Sequence, residues 1–314
     1  MALTLKAPAP NVRSSDWRGV TACFGSILIW SGNTIVTKAA AGVIAPGSIA
    51  FYRWLLALSI MLPLVGPTAW RNRELALRHW KQLLTLGALG MVIYQSLAYK
   101  AAESTSAVSM GVILALMPLF STLLASALAA ERLTFLRITG AIVSLSGLVY
   151  LVSHGRPVSL IHNGVHIGDG LMLIAVISNS LYSVMLKRWT IPISIWEQIF
   201  WQILFSIVLL FPIWLAGPIS PVTTINLPLV LYAGILSSLL SPMCWIVGVQ
   251  RLGSARTALF TNLVPIVVAL LAWLILGEHL QTFHLIGGTV ALAGVWLGLR
   301  EPLGIVGGKS TASR

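Results

Sequence analysis

The stretch AYKAAESTSAVSMGVILALMPLFSTLLASALAAERLTFLRITGAIVSLSGLVYL, residues 98–151, occurs twice in this chain. Its second copy, GVQRLGSARTALFTNLVPIVVALLAWLILGEHLQTFHLIGGTVALAGVWLG, occupies residues 248–298. Pro118 aligns with Pro265, Glu131 with Glu278, Leu133 with Leu280, Gly140 with Gly287 and Gly147 with Gly294, each pair 147 positions apart (265 − 118, for example). No gap is needed. Both copies run through a long apolar stretch with a central Pro, a polar turn of the form [AG]-E-x-L, and a second apolar stretch with Gly seven residues apart. A unit of this kind, repeated in the two halves of one chain, predicts a duplicated membrane protein.

Composition points the same way. Hydrophobic residues make up 57% of the chain and charged residues 9%, whereas about a quarter of a soluble domain is charged. Apolar runs near the length needed to cross ~30 Å of hydrocarbon recur from end to end, and the short alternating strands of a β-barrel are missing. We expect ten spans, at 18–40, 47–66, 82–101, 106–129, 135–152, 169–188, 194–216, 228–249, 255–276 and 282–299. The fold class expected is therefore an all-α integral membrane protein. Its two five-helix repeats, 17–152 and 169–300, are joined by a connecting loop at 153–168 and flanked by polar tails at 1–16 and 301–314. The first apolar run continues through Asn33 and Lys38, too long for the h-region of a cleaved signal peptide. Cys23 and Cys244 lie inside apolar runs and read as reduced core thiols.

The net charge of +12 would suggest nucleic acid in a soluble protein. Here the basic residues sit in short loops on one side. Lys6, Arg13, Arg18, Arg71, Arg73, Arg78, Lys81, Arg132, Arg137, Lys187, Arg188, Arg251, Arg256, Arg300, Lys309 and Arg314 share that side. Only Lys38, Arg53, Lys100 and Arg156 remain. The charge bias predicts both termini in the cytoplasm and no nucleic-acid partner. Five spans per half is an odd number, so the second copy enters the membrane in the opposite sense. An inverted repeat places a binding site between the halves near the midplane.

The stretches IWSGNTIVTK (29–38), FYRWLLAL (51–58) and YKAAESTSA (99–107), with the Pro-then-Glu units ending at Glu131 and Glu278, resemble the drug/metabolite transporter superfamily in its EamA-type branch. Within that branch the chain looks most like the bacterial inner-membrane exporters of aromatic amino acids. The resemblance implies a basket of helices around a central cavity, a small-molecule substrate and no cofactor. One departure is that the second half has WEQIFW (196–201) where the first has its aromatic-Arg motif.

Several residues carry both a functional and a structural reading. Lys38 can meet a substrate carboxylate or snorkel to the interface. Arg53, deeper in its span, is expected to serve a structural pairing role. Asn33, Asn179 and Asn262 can bond across helices or touch substrate. Trp30, Tyr94, Tyr99, Tyr182 and Trp245, on spans that the resemblance places around the cavity, can stack on a planar ligand or simply pack. Trp17, Trp70, Trp80, Trp189 and Trp214 read as interfacial belt residues. Pro118 and Pro265 each remove a mid-span hydrogen bond and are candidate hinges. Glu131 and Glu278 lie in turns and are read as bonding helix ends, not as catalytic groups. Only Glu197, early in its span, approaches mid-membrane. His162 and His166 have ligand-like spacing but no supporting acid or Cys, so no metal site is assigned. Gly140, Ser144 and Gly147 share one helix face, as do Gly287, Ala291 and Gly294. They predict close internal packing, with a dimer contact as the alternative, so monomer and homodimer both stay open.

The function expected is export of small amphipathic metabolites, aromatic amino acids first, by alternating access, with the lipid bilayer as partner. The alternatives are an exporter of planar cationic drugs or other metabolites, and an intramembrane enzyme. A channel would need charge rings or a filter motif, which the chain lacks.

Overall fold

Asp16 sets the start of the first helix: its carboxylate accepts from the backbone N–H groups of Arg18 and Gly19, meeting donors that have no partner within the helix. The Arg251 side chain, bonded to Asp16 at 3.0 Å, holds that carboxyl below its usual range. From there the computed structural model describes residues 16–129, 135–158, 166–253, 257 and 260–299. Most of the two expected tails, Glu131, His162 and residues 159–165 of the expected connecting loop lie outside the described residues.

The regular elements among the described residues are all helical, with no strand. In chain order the helices are α1 (Trp17–Ala40), α2 (Pro46–Arg71), α3 (Arg73–Arg78), α4 (Trp80–Gly87), α5 (Tyr94–Ala101), α6 (Ala107–Leu114) and α7 (Met117–Ala129). They continue as α8 (Phe135–Val152), α9 (Ile167–Arg188), α10 (Ile195–Ala216), α11 (Leu227–Leu231), α12 (Ser241–Leu252), α13 (Val264–Leu276) and α14 (Thr282–Leu299). A π-helical segment, Ala88–Ile93, joins α4 to α5, and another, Tyr232–Leu240, joins α11 to α12. Local sequence explains several boundaries. Pro46 opens α2, where its missing N–H costs nothing. Ser194 and Glu197 form a reciprocal capping box at the start of α10. Glu197 is thus fixed at a helix end, with Asn72 donating to it at 2.7 Å.

Among the described residues, six helical runs are long and apolar enough to cross a membrane: Trp17–Ala40, Pro46–Arg71, Ala107–Leu128, Ile167–Arg188, Ile195–Ala216 and Leu227–Leu252. Ile138–Leu151, Val264–Leu276 and Thr282–Leu297 are apolar but shorter. The expected span at 82–101 is a helix–π–helix rod carrying Gln95, Ser96 and Lys100. Large apolar side chains cover the outside, with Leu64 73% and Phe135 79% exposed. Such a surface is unfavourable in water and matches hydrocarbon. Trp17, Trp70 and Trp80 are exposed at helix ends, as belt residues should be. Trp214 differs: its ring stacks on Phe51 at 4.8 Å.

Inside, helices from the two halves of the chain interleave: α1 packs on α12 and α13, α2 on α10, and α5 on α9. The tightest seam joins α8 to α14. A Cβ on Gly147 would lie 2.4 Å from the Ala291 backbone nitrogen, and one on Gly294 only 2.2 Å from that of Ser144. The small-residue faces therefore meet backbone to backbone within one chain, the internal packing expected of them.

Candidate functional site

Arg53 is the most deeply buried cation among the described residues, 1% exposed. Guanidinium stays protonated and carries five N–H donors, so burial obliges the fold to supply acceptors. Nη1 donates to Gln95 Oε1 at 2.8 Å and Tyr99 Oη at 3.1 Å. Nη2 donates to Ser238 Oγ at 2.9 Å and Ser237 Oγ at 3.4 Å, and Nε reaches Ser238 Oγ at 3.3 Å. The Trp54 ring lies 5.0 Å away. The pairing expected of Arg53 is thus with neutral groups. Two of these groups, Gln95 and Tyr99, lie in α5, which one π segment leads into; the other two lie inside the second. A π turn admits an extra residue and redirects side chains, which is why such turns recur at functional sites.

The predicted aromatic residues fall into three groups. Tyr99 is part of the Arg53 node, and Tyr94 opens the helix, α5, that carries it. Trp30 and Trp245 form a tilted pair 5.1 Å apart, one from each copy-bearing half. Tyr182 lies over Gly90 in the first π segment, where a Cβ would sit 2.8 Å from its ring. Tyr232, which opens the second π segment, links the first two groups. Its hydroxyl donates to Ile29 O at 3.1 Å and occupies the space a side chain at Gly32 would need.

The predicted polar residues differ in state. Asn33 Oδ1 is buried without a hydrogen-bond partner; such an orphan acceptor is rare. Asn179 donates to Met117 Sδ at 3.4 Å, and Asn262 falls in the 3-10 turn Phe260–Leu263. Lys38 donates to Ala102 O at 2.9 Å and Thr105 O at 2.6 Å. Its ammonium thereby holds the carbonyl end of α5, the negative pole of that helix, and one of its three donors remains.

Lys38 belongs to a clasp around the turn between α5 and α6. Asp169 accepts from the Thr105 hydroxyl. Glu278 accepts from the N–H groups of Ala107 at 2.9 Å and Val108 at 3.2 Å, the helix-end role expected for it. His284 Nδ1 accepts from Gln281 N at 3.1 Å, leaving Nε2 to meet Ser109 Oγ at 3.3 Å. His154 and His166 stack at 4.9 Å beside this clasp.

Pro118 and Pro265 are placed differently from mid-span kinks. Each lies at the second position of a new helix, after the break at 115–116 and after the turn Phe260–Leu263. The missing N–H is therefore one the first helical turn does not need.

Residues 17–153 and again 166–300 match the EamA-like transporter family. The chain belongs to the EamA-like transporter family. It is 24% identical over 278 residues to the "Uncharacterized transporter YyaM" of Bacillus subtilis (strain 168), covering 85% of this chain and 89% of that protein. It is 28% identical over 257 residues to the "Probable terminal-alkyne amino-acid exporter" of Streptantibioticus cattleyicolor, covering 79% and 81%. A solved crystal structure with 18% identity has the same fold, with a TM-score of 0.56 and coverage of 91% of this chain and 98% of that one. EamA membership makes this a multi-pass membrane protein and a transporter of small molecules. In this EamA-like transporter the Arg53 node and the Trp30–Trp245 pair both bridge the two matched segments.

Proposed function

We propose that this EamA-like transporter exports small amphipathic metabolites across the inner membrane, aromatic amino acids first, by alternating access. The observation that carries the reading is the seam between the halves. There, aromatic rings from both sides (Trp30 with Trp245, and Tyr99 beside Arg53 on the helix that Tyr94 opens) adjoin polar groups. Stacking on planar ligands, a buried cation and the orphan Asn33 acceptor together suit a molecule with an aromatic end and a charged polar end. The name of the Streptantibioticus relative adds weight to amino-acid chemistry.

In this reading residues 17–152 and 169–300 are two five-helix repeats of opposite orientation, and 1–16 and 301–314 are cytoplasmic tails. Tyr182 and Asn262 complete the substrate path, and the breaks before Pro118 and Pro265 serve as paired hinges. Counterflow of labelled tryptophan and phenylalanine into proteoliposomes containing the purified chain tests it. Transport of neither, while other metabolites move, rules out the aromatic assignment.

A further inference from the structure

We propose that Arg53 is the anchor for the substrate's carboxylate, and that the carboxylate docks on the Nε–Nη2 edge of its guanidinium. The inference rests on the amino-acid reading above and names the group within it that recognises the acid.

The Arg53 environment is satisfied in hydrogen bonds and unsatisfied in charge. Its donors all find oxygens, but every oxygen belongs to an amide or a hydroxyl. Among the described residues no carboxylate pairs with it: the two ion pairs are Lys100–Glu103 and Arg251–Asp16. Asp169, Glu197 and Glu278 are held by Thr105, by Ser194 and Asn72, and by the start of α6. A cation removed from water and given only neutral partners is costly to keep. Within membrane-spanning segments such residues mark substrate and ion pathways. A substrate that carries its own anion would supply the missing counter-charge on arrival.

The geometry selects the edge. Nη1 is engaged by Gln95 and Tyr99, both from the first half. The opposite edge, Nε with Nη2, is spanned by one oxygen, Ser238 Oγ, at 3.3 and 2.9 Å. A carboxylate offers two oxygens at the spacing of that edge and bonds it bidentately. Ser238 also donates to Ala233 O at 2.8 Å within the π segment, so its hydroxyl keeps a partner when Arg53 exchanges it for substrate. Ser238 and Ser237 come from the second half, Arg53 from the first. Exchange of hydroxyl for carboxylate therefore alters a contact between the halves, as a substrate that drives alternating access must do.

The test uses the full chain in proteoliposomes, with tryptophan uptake competed by L-tryptophan and by L-tryptophanamide. The amide should compete about tenfold to a hundredfold more weakly in the parent, the range for losing a hydrogen bond to a charged group. In Arg53→Gln that ratio should fall to near one, with Arg53→Lys between. Because Arg53→Gln can fail to fold, Ser238→Asp provides the second arm. It places a resident carboxylate on the same edge, so the protein should melt no lower than the parent yet lose tryptophan uptake. Equal competition by acid and amide in the parent overturns the proposal, as does a folded Ser238→Asp protein that transports at the parent rate. If the parent moves neither tryptophan nor phenylalanine, the aromatic assignment fails on its own. Thermal stabilisation by leucine and threonine against their amides then decides the anchor, and equal stabilisation, or none, overturns it.

Discussion

Lys38 and Arg53 are two of only four basic residues outside the positively charged loop set, and the fold treats them in opposite ways. Lys38 ends on two carbonyls at a helix C-terminus, where dipole and hydrogen bonds offset its charge. Arg53 has only neutral oxygens and the Trp54 ring as partners. The aromatic residues invite a direct comparison. Trp30→Ala, Tyr94→Ala, Tyr99→Ala and Trp245→Ala each remove contacts worth ~0.5–1.5 kcal/mol per aromatic pair beyond area burial. Each should weaken tryptophan transport by about a few-fold to tenfold, since about 1.4 kcal/mol is tenfold. Threonine transport should change less at equal membrane abundance, and Phe replacements should be milder. If all four variants transport tryptophan like the parent, these rings pack internally or face lipid. Much at this scale was legible: an aromatic side chain or a lone Arg in an apolar run announces itself. The acceptors of Arg53 were not, because Ser238 lies 185 positions downstream and serines in spans ordinarily serve close packing.

At the scale of elements, the repeated Gly spacing announced a close helix contact, and α8 against α14 provides it. Adding a large side chain at Gly147 or Gly294 forces the two backbones apart, and overpacking of this kind costs ~1–3 kcal/mol. Gly147→Leu and Gly294→Leu should therefore lower the melting temperature of the detergent-solubilised protein clearly. Gly288→Ala, whose Cβ would meet Val112 Cγ2 at an ordinary 3.4 Å, should melt within a degree or so of the parent by comparison. Equal melting of all three proteins would mean that the seam contributes little. The π segments and the helix breaks before Pro118 and Pro265 were not legible. A π turn has no compositional mark distinguishing it from the α-helix around it. A Pro in an apolar run fits a kink and a helix start equally well until the neighbouring hydrogen bonds are known.

For the whole molecule, duplication and hydropathy carried the class, while the route of the chain through the membrane is a prediction drawn from charge. With both termini cytoplasmic, a cysteine at position 160 should label from outside sealed cells and cysteines at 75 and 310 should not. The background should lack Cys23 and Cys244, which lie within helices. External labelling at 75 would invert the topology.

Coupling follows from where the acids lie in the same frame. Each described acid sits at a helix end or turn. Asp16 caps α1; Glu74, Asp169 and Glu197 lie in the first turns of α3, α9 and α10; Glu103 and Glu278 lie in turns. Asp16, Glu197 and Glu278 accept from backbone donors at helix starts, where the positive end of the helix favours a carboxylate; Asp169 is bonded to the Thr105 hydroxyl and Glu103 to Lys100. A carrier proton needs an acid that exchanges it within the membrane path. Tryptophan should therefore move down its own gradient in proteoliposomes with equal pH on both sides and the membrane potential clamped. An imposed proton gradient should change the initial rate little. A strict requirement for that gradient would defeat this account. It would direct attention to Asp169, which is 3% exposed and bonded to the Thr105 hydroxyl beside the Lys38 clasp. Asp169→Asn would then abolish gradient-driven uptake while leaving exchange of tryptophan for tryptophan intact.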